Sequence, residues 1–140
     1  MRTKLSSQKG ASAVEFALVL PMLMVISFGI IEFGAYLYNQ QVITNASREG
    51  ARAGIVASGP RVDLTTIAAV VNNYAKGHLI TFGPANNPAI NVTGYAAAAA
   101  FSTPLTVQVT YNYSFLVIPD LIADFTRLRP MQASSVMRYE

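Results

Sequence analysis

The chain has 140 residues, enough for one small domain or for one small domain with an added element. Hydrophobic residues make up 52% and charged residues only 12%, about half of the ~25% typical of a soluble domain. This balance excludes intrinsic disorder and disfavours an ordinary soluble enzyme. Of the ten Lys and Arg residues, three (Arg2, Lys4 and Lys9) lie in the first nine positions, and the other seven match seven Asp and Glu. No basic face remains for nucleic acid, so we expect no nucleic-acid partner.

Few residues are present that carry catalytic or metal chemistry. The absence of cysteine excludes disulfides, iron–sulfur clusters and cysteine nucleophiles. His78 is the only histidine and follows Gly77, a predicted helix end, which is a position typical of a surface or capping residue. No P-loop, G-x-S-x-G or H-E-x-x-H motif occurs. We therefore expect no enzyme, no metal site and no cofactor.

The strongest pattern is an apolar segment near the N-terminus. Residues 16–31 carry no charge and are flanked by Glu15 and Glu32, and apolar character continues to residue 38. A bilayer core needs about 20 helical residues, so residues 11–38 are predicted to span a membrane, with a kink at Pro21. The alternative is a buried core helix, but a chain of this length has too little other structure to cover one on all sides.

The flanking residues predict the orientation of the span. Three cations precede the apolar segment, and the next cation is Arg48. The positive-inside rule therefore places the N-terminus in the cytoplasm and the C-terminal part outside, with Tyr36 and Tyr38 near the outer interface. An ordinary secretory signal peptide is the alternative. It is disfavoured because the apolar run is long and no A-x-A cleavage site follows it before Tyr38.

A different processing site precedes the apolar segment. Gly10 directly follows the basic leader, and Glu15 and Phe16 stand five and six residues after it. A cut between Gly10 and Ala11 would remove all three leader cations and leave the apolar helix attached.

This arrangement resembles the class III signal of type IV pilin-like proteins, which prepilin peptidases cut on the cytoplasmic side. The stretch GASAVEFALVLPMLMVISFGIIEFG, followed by NASREGARAG at residues 45–54, resembles the TadE-like family of minor pseudopilins of tight-adherence (Flp-type) pili. The resemblance covers about residues 9–54. It implies a bacterial inner-membrane protein whose partners are a prepilin peptidase, other pilins or pseudopilins, the inner-membrane assembly platform and the lipid bilayer.

The same resemblance marks Glu15, Phe16 and Pro21 as assembly residues. Cleavage frees the α-amine of Ala11, which is mostly cationic at neutral pH, and Glu15 lies one helical turn away. Glu15 would then neutralise its own N-terminus or that of a neighbouring subunit. The alternative is that Glu15 only marks the membrane boundary, in contact with water.

The apolar helix is predicted to continue beyond the membrane, from Ala11 to about Ala57, and to end at Ser58-Gly59-Pro60. Small residues recur at intervals of four at Ala46, Gly50 and Gly54, a spacing that lets two helices approach closely. Coincidence in a stretch rich in Ala and Gly is the alternative.

The remaining chain predicts a second helix and about three strands. The helix covers residues 64–77, between an Asp63 cap and Gly77, with a buried face of Leu64, Ile67, Ala68, Val71 and Tyr74. The strands cover residues 89–93, 105–115 (stopped by Pro119) and 133–139, with the alanines of 96–100 as a connection and a short helical turn at 120–125. The predicted fold is α+β and pilin-like: a long N-terminal membrane-spanning helix continuing into a small extracytoplasmic domain with a mainly antiparallel sheet.

These patterns divide the chain into four parts: a basic leader (1–10), a transmembrane helix (11–38), its extracytoplasmic continuation (39–57) and a small α+β domain (58–140). The leading hypothesis is a minor pseudopilin that acts by helix packing after processing. The alternative is a permanently anchored extracytoplasmic binding or adhesion module.

Overall fold

The computed structural model describes residues 4–56, 61–82, 86–98, 100–115 and 130–139, with side chains from residue 10 onward. Two helices precede a three-stranded antiparallel sheet, and this confirms the α+β class. The elements are α1 (Lys4–Ile55), α2 (Leu64–Lys76), β1 (Ala89–Thr93), β2 (Pro104–Tyr111) and β3 (Met131–Arg138), with the strands in the order β1-β2-β3.

Helix α1 is longer at its start than the sequence predicted. It begins at Lys4 rather than Ala11 because no proline interrupts residues 4–10, and one glycine inside a helix costs only about 1 kcal/mol. It runs without a break through Pro21, whose missing N–H removes one backbone hydrogen bond. The helix ends at Ile55, and the predicted stop at residues 58–60 lies outside the described residues.

Helix α2 confirms the predicted cap and corrects the predicted face. The Asp63 carboxylate accepts hydrogen bonds from Thr66 N and Thr65 Oγ1, both at 2.8 Å, and these bonds lower the pKa of Asp63. The buried residues of α2 are Ile67, Val71 and Ala75. Leu64 is exposed instead because it lies in the first turn, beside an open groove between α2 and β1.

Strand β2 is shorter than predicted, ending at Tyr111 rather than at residue 115. Its neighbours determine this limit, since β1 begins with Ala89 opposite Thr110 and β3 begins with Met131 opposite Tyr111. Residues 112–115 follow without strand pairing. Strand β3 begins two residues before the predicted position 133. Pro119 and the predicted turn at 120–125 lie outside the described residues.

The core lies between the second half of α1, helix α2 and one face of the sheet. Alternate residues of β2 point into it, as the period-two pattern predicted. The largest fully buried apolar side chains are Ile43, Ile67, Val71, Leu105, Val107, Val109, Tyr111 and Tyr139. Full burial of each aliphatic one contributes about 1.5–3 kcal/mol to stability.

The domain has a defined direction along α1. At one end, called here the near end, the Asn39 amide bonds the backbone of Ile80 and the Tyr36 ring lies against Tyr113. At the opposite or far end, Gly54 faces Leu105 at the start of β2. The connection between β1 and β2 is therefore at the far end, and the segment after α2 is at the near end.

Candidate functional site

The first half of α1 is an apolar helix that no other described part of the chain covers. Residues 10–31 are almost all exposed, and Phe16, Leu18, Met22 and Ile30 are among the most exposed large apolar side chains. Over the described residues, this is the single helix whose length and composition suffice to cross a membrane. Exposed apolar area of this extent marks a surface that meets lipid or another protein.

The predicted processing residues, Gly10 and Ala11, lie in this exposed part of α1. A Cβ added at Gly10 would meet no atom within 4 Å, so packing inside the chain does not require glycine there. Any requirement for Gly10 would therefore come from outside the folded chain.

The predicted assembly residues Glu15, Phe16 and Pro21 also lie on the uncovered half. Ala11 and Glu15 are four residues apart in one continuous helix, so they share a face. Phe16 is exposed and adjoins that face. All three residues are available to a neighbouring helix.

Ala46, Gly50 and Gly54 lie on the covered half and point into the chain's own core. A Cβ on Gly54 would lie 2.5 Å from Leu105 Cδ2 and 2.8 Å from Ile67 Cδ1. A Cβ on Gly50 would overlap Val71 Cγ2. The row therefore faces α2 and β2 of the same chain, and it is not exposed to another subunit.

Sequence reasoning missed three buried polar residues on the same side of α1. Glu32 is 2% exposed, and Asn39 and Ser47 are fully buried. The Asn39 amide donates to Ile80 O (2.6 Å) and accepts from Ile80 N (2.9 Å), while Ser47 Oγ lies 2.7 Å from Ser135 Oγ. The sequence signal that could have found them is their spacing of seven and eight residues, which keeps them on the side of α1 that carries Ala46, Gly50 and Gly54.

A cluster of five aromatic rings lies at the near end, beside Glu32. Three chain segments supply the rings of this aromatic cluster: Phe33 and Tyr36 from α1, Phe82 from the segment after α2, and Tyr113 and Phe115 from the segment after β2. Centroid distances between the contacting pairs run from 4.8 Å for Tyr113–Phe115 to 6.5 Å for Phe33–Tyr36 and Phe82–Tyr113. Burial, with the negative charge of Glu32 as a second cause, raises the pKa of Tyr113 to about 12.

The described residues contain no group of three or more His, Asp or Glu side chains placed to hold a metal ion. His78 is exposed, its ring stacks on Tyr74, and its Nδ1 lies 2.7 Å from Tyr74 O. On the surface of α1, Arg52 and Glu49 form a loose ion pair at 3.9 Å. The chemistry of the described part is thus that of packing surfaces.

Comparison with known proteins finds a family similarity for most of helix α1. The family model for TadE-like proteins matches residues 10–52, which confirms the resemblance read from the motifs. Searches of the curated proteins and of the solved structures gave no match. The matched range includes the exposed apolar half of α1 together with Ala46 and Gly50, and it ends before Gly54 and α2.

Proposed function

We propose that this chain is a minor pseudopilin of a Tad (Flp-type) pilus system, inserted through α1 in the bacterial inner membrane and assembled by helix packing. The TadE-like match over residues 10–52 supports a place in such a system. The observation that carries the proposal is the division of α1 into an uncovered apolar half and a half buried in the domain. Other pilins or pseudopilins and the assembly platform are its proposed partners.

The mechanism we propose is exchange of one apolar environment for another. In the membrane the exposed side chains of residues 10–31 contact lipid, and in a pilus they contact the corresponding helices of neighbouring subunits. Because lipid tails are as apolar as leucine, this exchange costs little burial energy, and packing detail and polar pairs decide it. Glu15 is the charge at the start of this surface, where its proposed partner is an α-amine freed at Ala11.

Processing by a prepilin peptidase would prepare the subunit for assembly. The proposed cut follows Gly10, and the open space around Gly10 supports a direct role for this glycine in the peptidase's recognition. The leader with its cations would stay on the cytoplasmic side, and the domain would lie outside.

Mass spectrometry of membranes and of sheared pili tests this proposal. Wild type should yield a chain that starts at Ala11, and Gly10→Leu should leave the uncut precursor. Gly34→Leu is the matched control, because Gly34 lies in the same helix and also has no atom within 4 Å of an added Cβ. Processing of Gly10→Leu at Ala11, or equal failure of both variants, would refute the role of Gly10.

A permanently anchored binding module is the competing function. Phe101 favours it, because this side chain is 83% exposed in the connection at the far end, where it would face away from the membrane. A chain that keeps Met1 in cells with a complete pilus system, and that is absent from sheared pili, would support the anchored module instead.

A further inference from the structure

We propose that the near end of the domain is a membrane-docking surface, with the aromatic cluster lying in the outer interface of the phospholipid bilayer that α1 crosses. This inference rests on the proposed membrane insertion of α1. It adds a second contact with lipid, made by residues outside the long helix. The domain would then sit on the bilayer instead of standing away from it on a helical stalk.

The position at which the domain begins on α1 is the first argument. The uncovered residues 10–31 would extend about 33 Å at 1.5 Å per residue, close to the ~30 Å thickness of the hydrocarbon core. On the face of α1 that meets the domain, burial starts at the next residue, Glu32, while Phe33 and Leu37 on the other face stay exposed. On the domain-facing side, no bare helix is left between the end of the apolar half and the domain, so the near end meets the bilayer surface.

The chemistry of the near end is the second argument. Three separate segments bring aromatic rings to this level of α1, and the rings of Phe33 and Phe82 remain exposed. Tyrosine, which Tyr36 and Tyr113 supply here, is enriched with tryptophan where a protein crosses from hydrocarbon to headgroups, and exposed phenylalanine adds apolar area that enters the acyl boundary. Lys76, exposed in the last turn of α2 toward the same end, supplies a cation for lipid phosphates.

Glu32 is the third argument. A carboxylate at the boundary of an apolar span is costly in lipid. Here the domain covers it to 2% exposure, and its charge acts on Tyr113 from the aromatic cluster. The docking surface therefore replaces lipid around this charge with protein.

Tryptophan fluorescence tests the docking surface, because the natural chain contains no tryptophan. Single substitutions Phe28→Trp, Phe82→Trp and Phe101→Trp would be made in the full chain and reconstituted at low density in phosphatidylcholine vesicles. The lipids carry bromine on the acyl chain, near either the glycerol end or the methyl end. Phe28 and Phe82 are comparably exposed, at 42% and 39%, so the two reporters start from matched environments.

We expect Phe82→Trp to lose most of its emission with bromine near the glycerol end and much less with bromine near the methyl end. Phe28→Trp should be quenched by bromine in the acyl chain, and Phe101→Trp, at the far end, should be unaffected. Ile80→Trp, whose position is also exposed at the near end, repeats the measurement if Phe82→Trp does not fold.

The failures of the two proposals are distinguishable. Quenching of Phe28→Trp without quenching of Phe82→Trp or Ile80→Trp overturns the docking surface and leaves membrane insertion intact. Absence of quenching at Phe28→Trp overturns both. Emission of Phe82→Trp that is blue-shifted only at high protein density, and that bromine does not quench, indicates that a second copy covers the cluster and also overturns the docking surface.

Discussion

The close approach of α1 to its own domain makes Gly50→Ala an informative perturbation. Alanine is favoured over glycine inside a helix by about 1 kcal/mol, so an unhindered site would gain stability. At Gly50 the new Cβ would overlap Val71 Cγ2 and lie 3.4 Å from Val107 Cγ1. Valine is stiff at χ1 and both neighbours are fully buried, so the overlap is relieved by backbone movement or by strained side chains. Overpacking of this kind costs about 1–3 kcal/mol.

We therefore expect Gly50→Ala to lower the free energy of unfolding by up to about 2 kcal/mol. This corresponds to a fall in Tm of several degrees, since 1 kcal/mol corresponds to about 4–8 °C in a domain of 60–100 residues. Gly77→Ala is the matched control. Gly77 has φ −86° and no atom within 4 Å of an added Cβ, so alanine fits there and should raise Tm slightly. The assay is thermal unfolding of the full chain in detergent micelles, followed by circular dichroism.

Val71→Ala provides the rescue. Alone it should destabilise the domain by opening a cavity, but in Gly50→Ala/Val71→Ala the new methyl group occupies that space. The loss of unfolding free energy in the double variant should therefore be smaller than the sum of the two single losses, by about 0.5–3 kcal/mol. A Gly50→Ala variant that gains as much Tm as Gly77→Ala, or single effects that simply add, would refute the packing described for this face of α1.

Two further predictions concern charged and ionisable groups at either end of the apolar half. The Glu15→Gln variant should be inserted and cut normally but should reduce the amount of pilus formed. Glu49→Gln, which changes a matched exposed carboxylate on α1, should not reduce it. Normal piliation with Glu15→Gln would show that Glu15 only marks the membrane boundary. Burial raises the pKa of Tyr113 from 10.0 to about 12, so its neutral form is favoured in the folded state and stability should fall as pH rises from about 10 to 12. Absorbance titration should lose its latest-ionising tyrosine in Tyr113→Phe, and an unchanged titration would contradict the burial of this ring.

Sequence patterns predicted the elements whose burial follows a simple period. Helix α2 and the alternation along β2 could be read because apolar residues recur every three to four or every two positions. The row of small residues on α1 was visible for the same reason, although its partner, the chain's own α2 and β2, was not. A spacing indicates that two surfaces approach closely, but it does not identify the second surface.

Polar burial and strand ends could not be read in this way. In the sequence Glu32 only marks the end of the uncharged segment. Asn39 could not be recognised as buried because the residue it bonds, Ile80, is far away in the sequence. The strand pattern of β2 continues past Tyr111, but pairing stops where β1 and β3 begin. Both features depend on which segments become neighbours in the fold, and the residue pattern of a single segment does not predict its neighbours.

The unbroken course of α1 has a consequence for how subunits would be arranged in the proposed assembly. Each residue of an ideal helix turns the chain by about 100° and advances it by 1.5 Å. Glu15 and Phe33 are eighteen residues apart, so they lie on the same side of α1, about five turns or 27 Å from each other. Glu32, which the domain covers, lies about 100° around the axis from that line. A neighbour that engaged Glu15, as proposed, would therefore approach beside the domain rather than from below it. The direction in which each domain points around the axis of the proposed assembly would then follow from the residue count along α1.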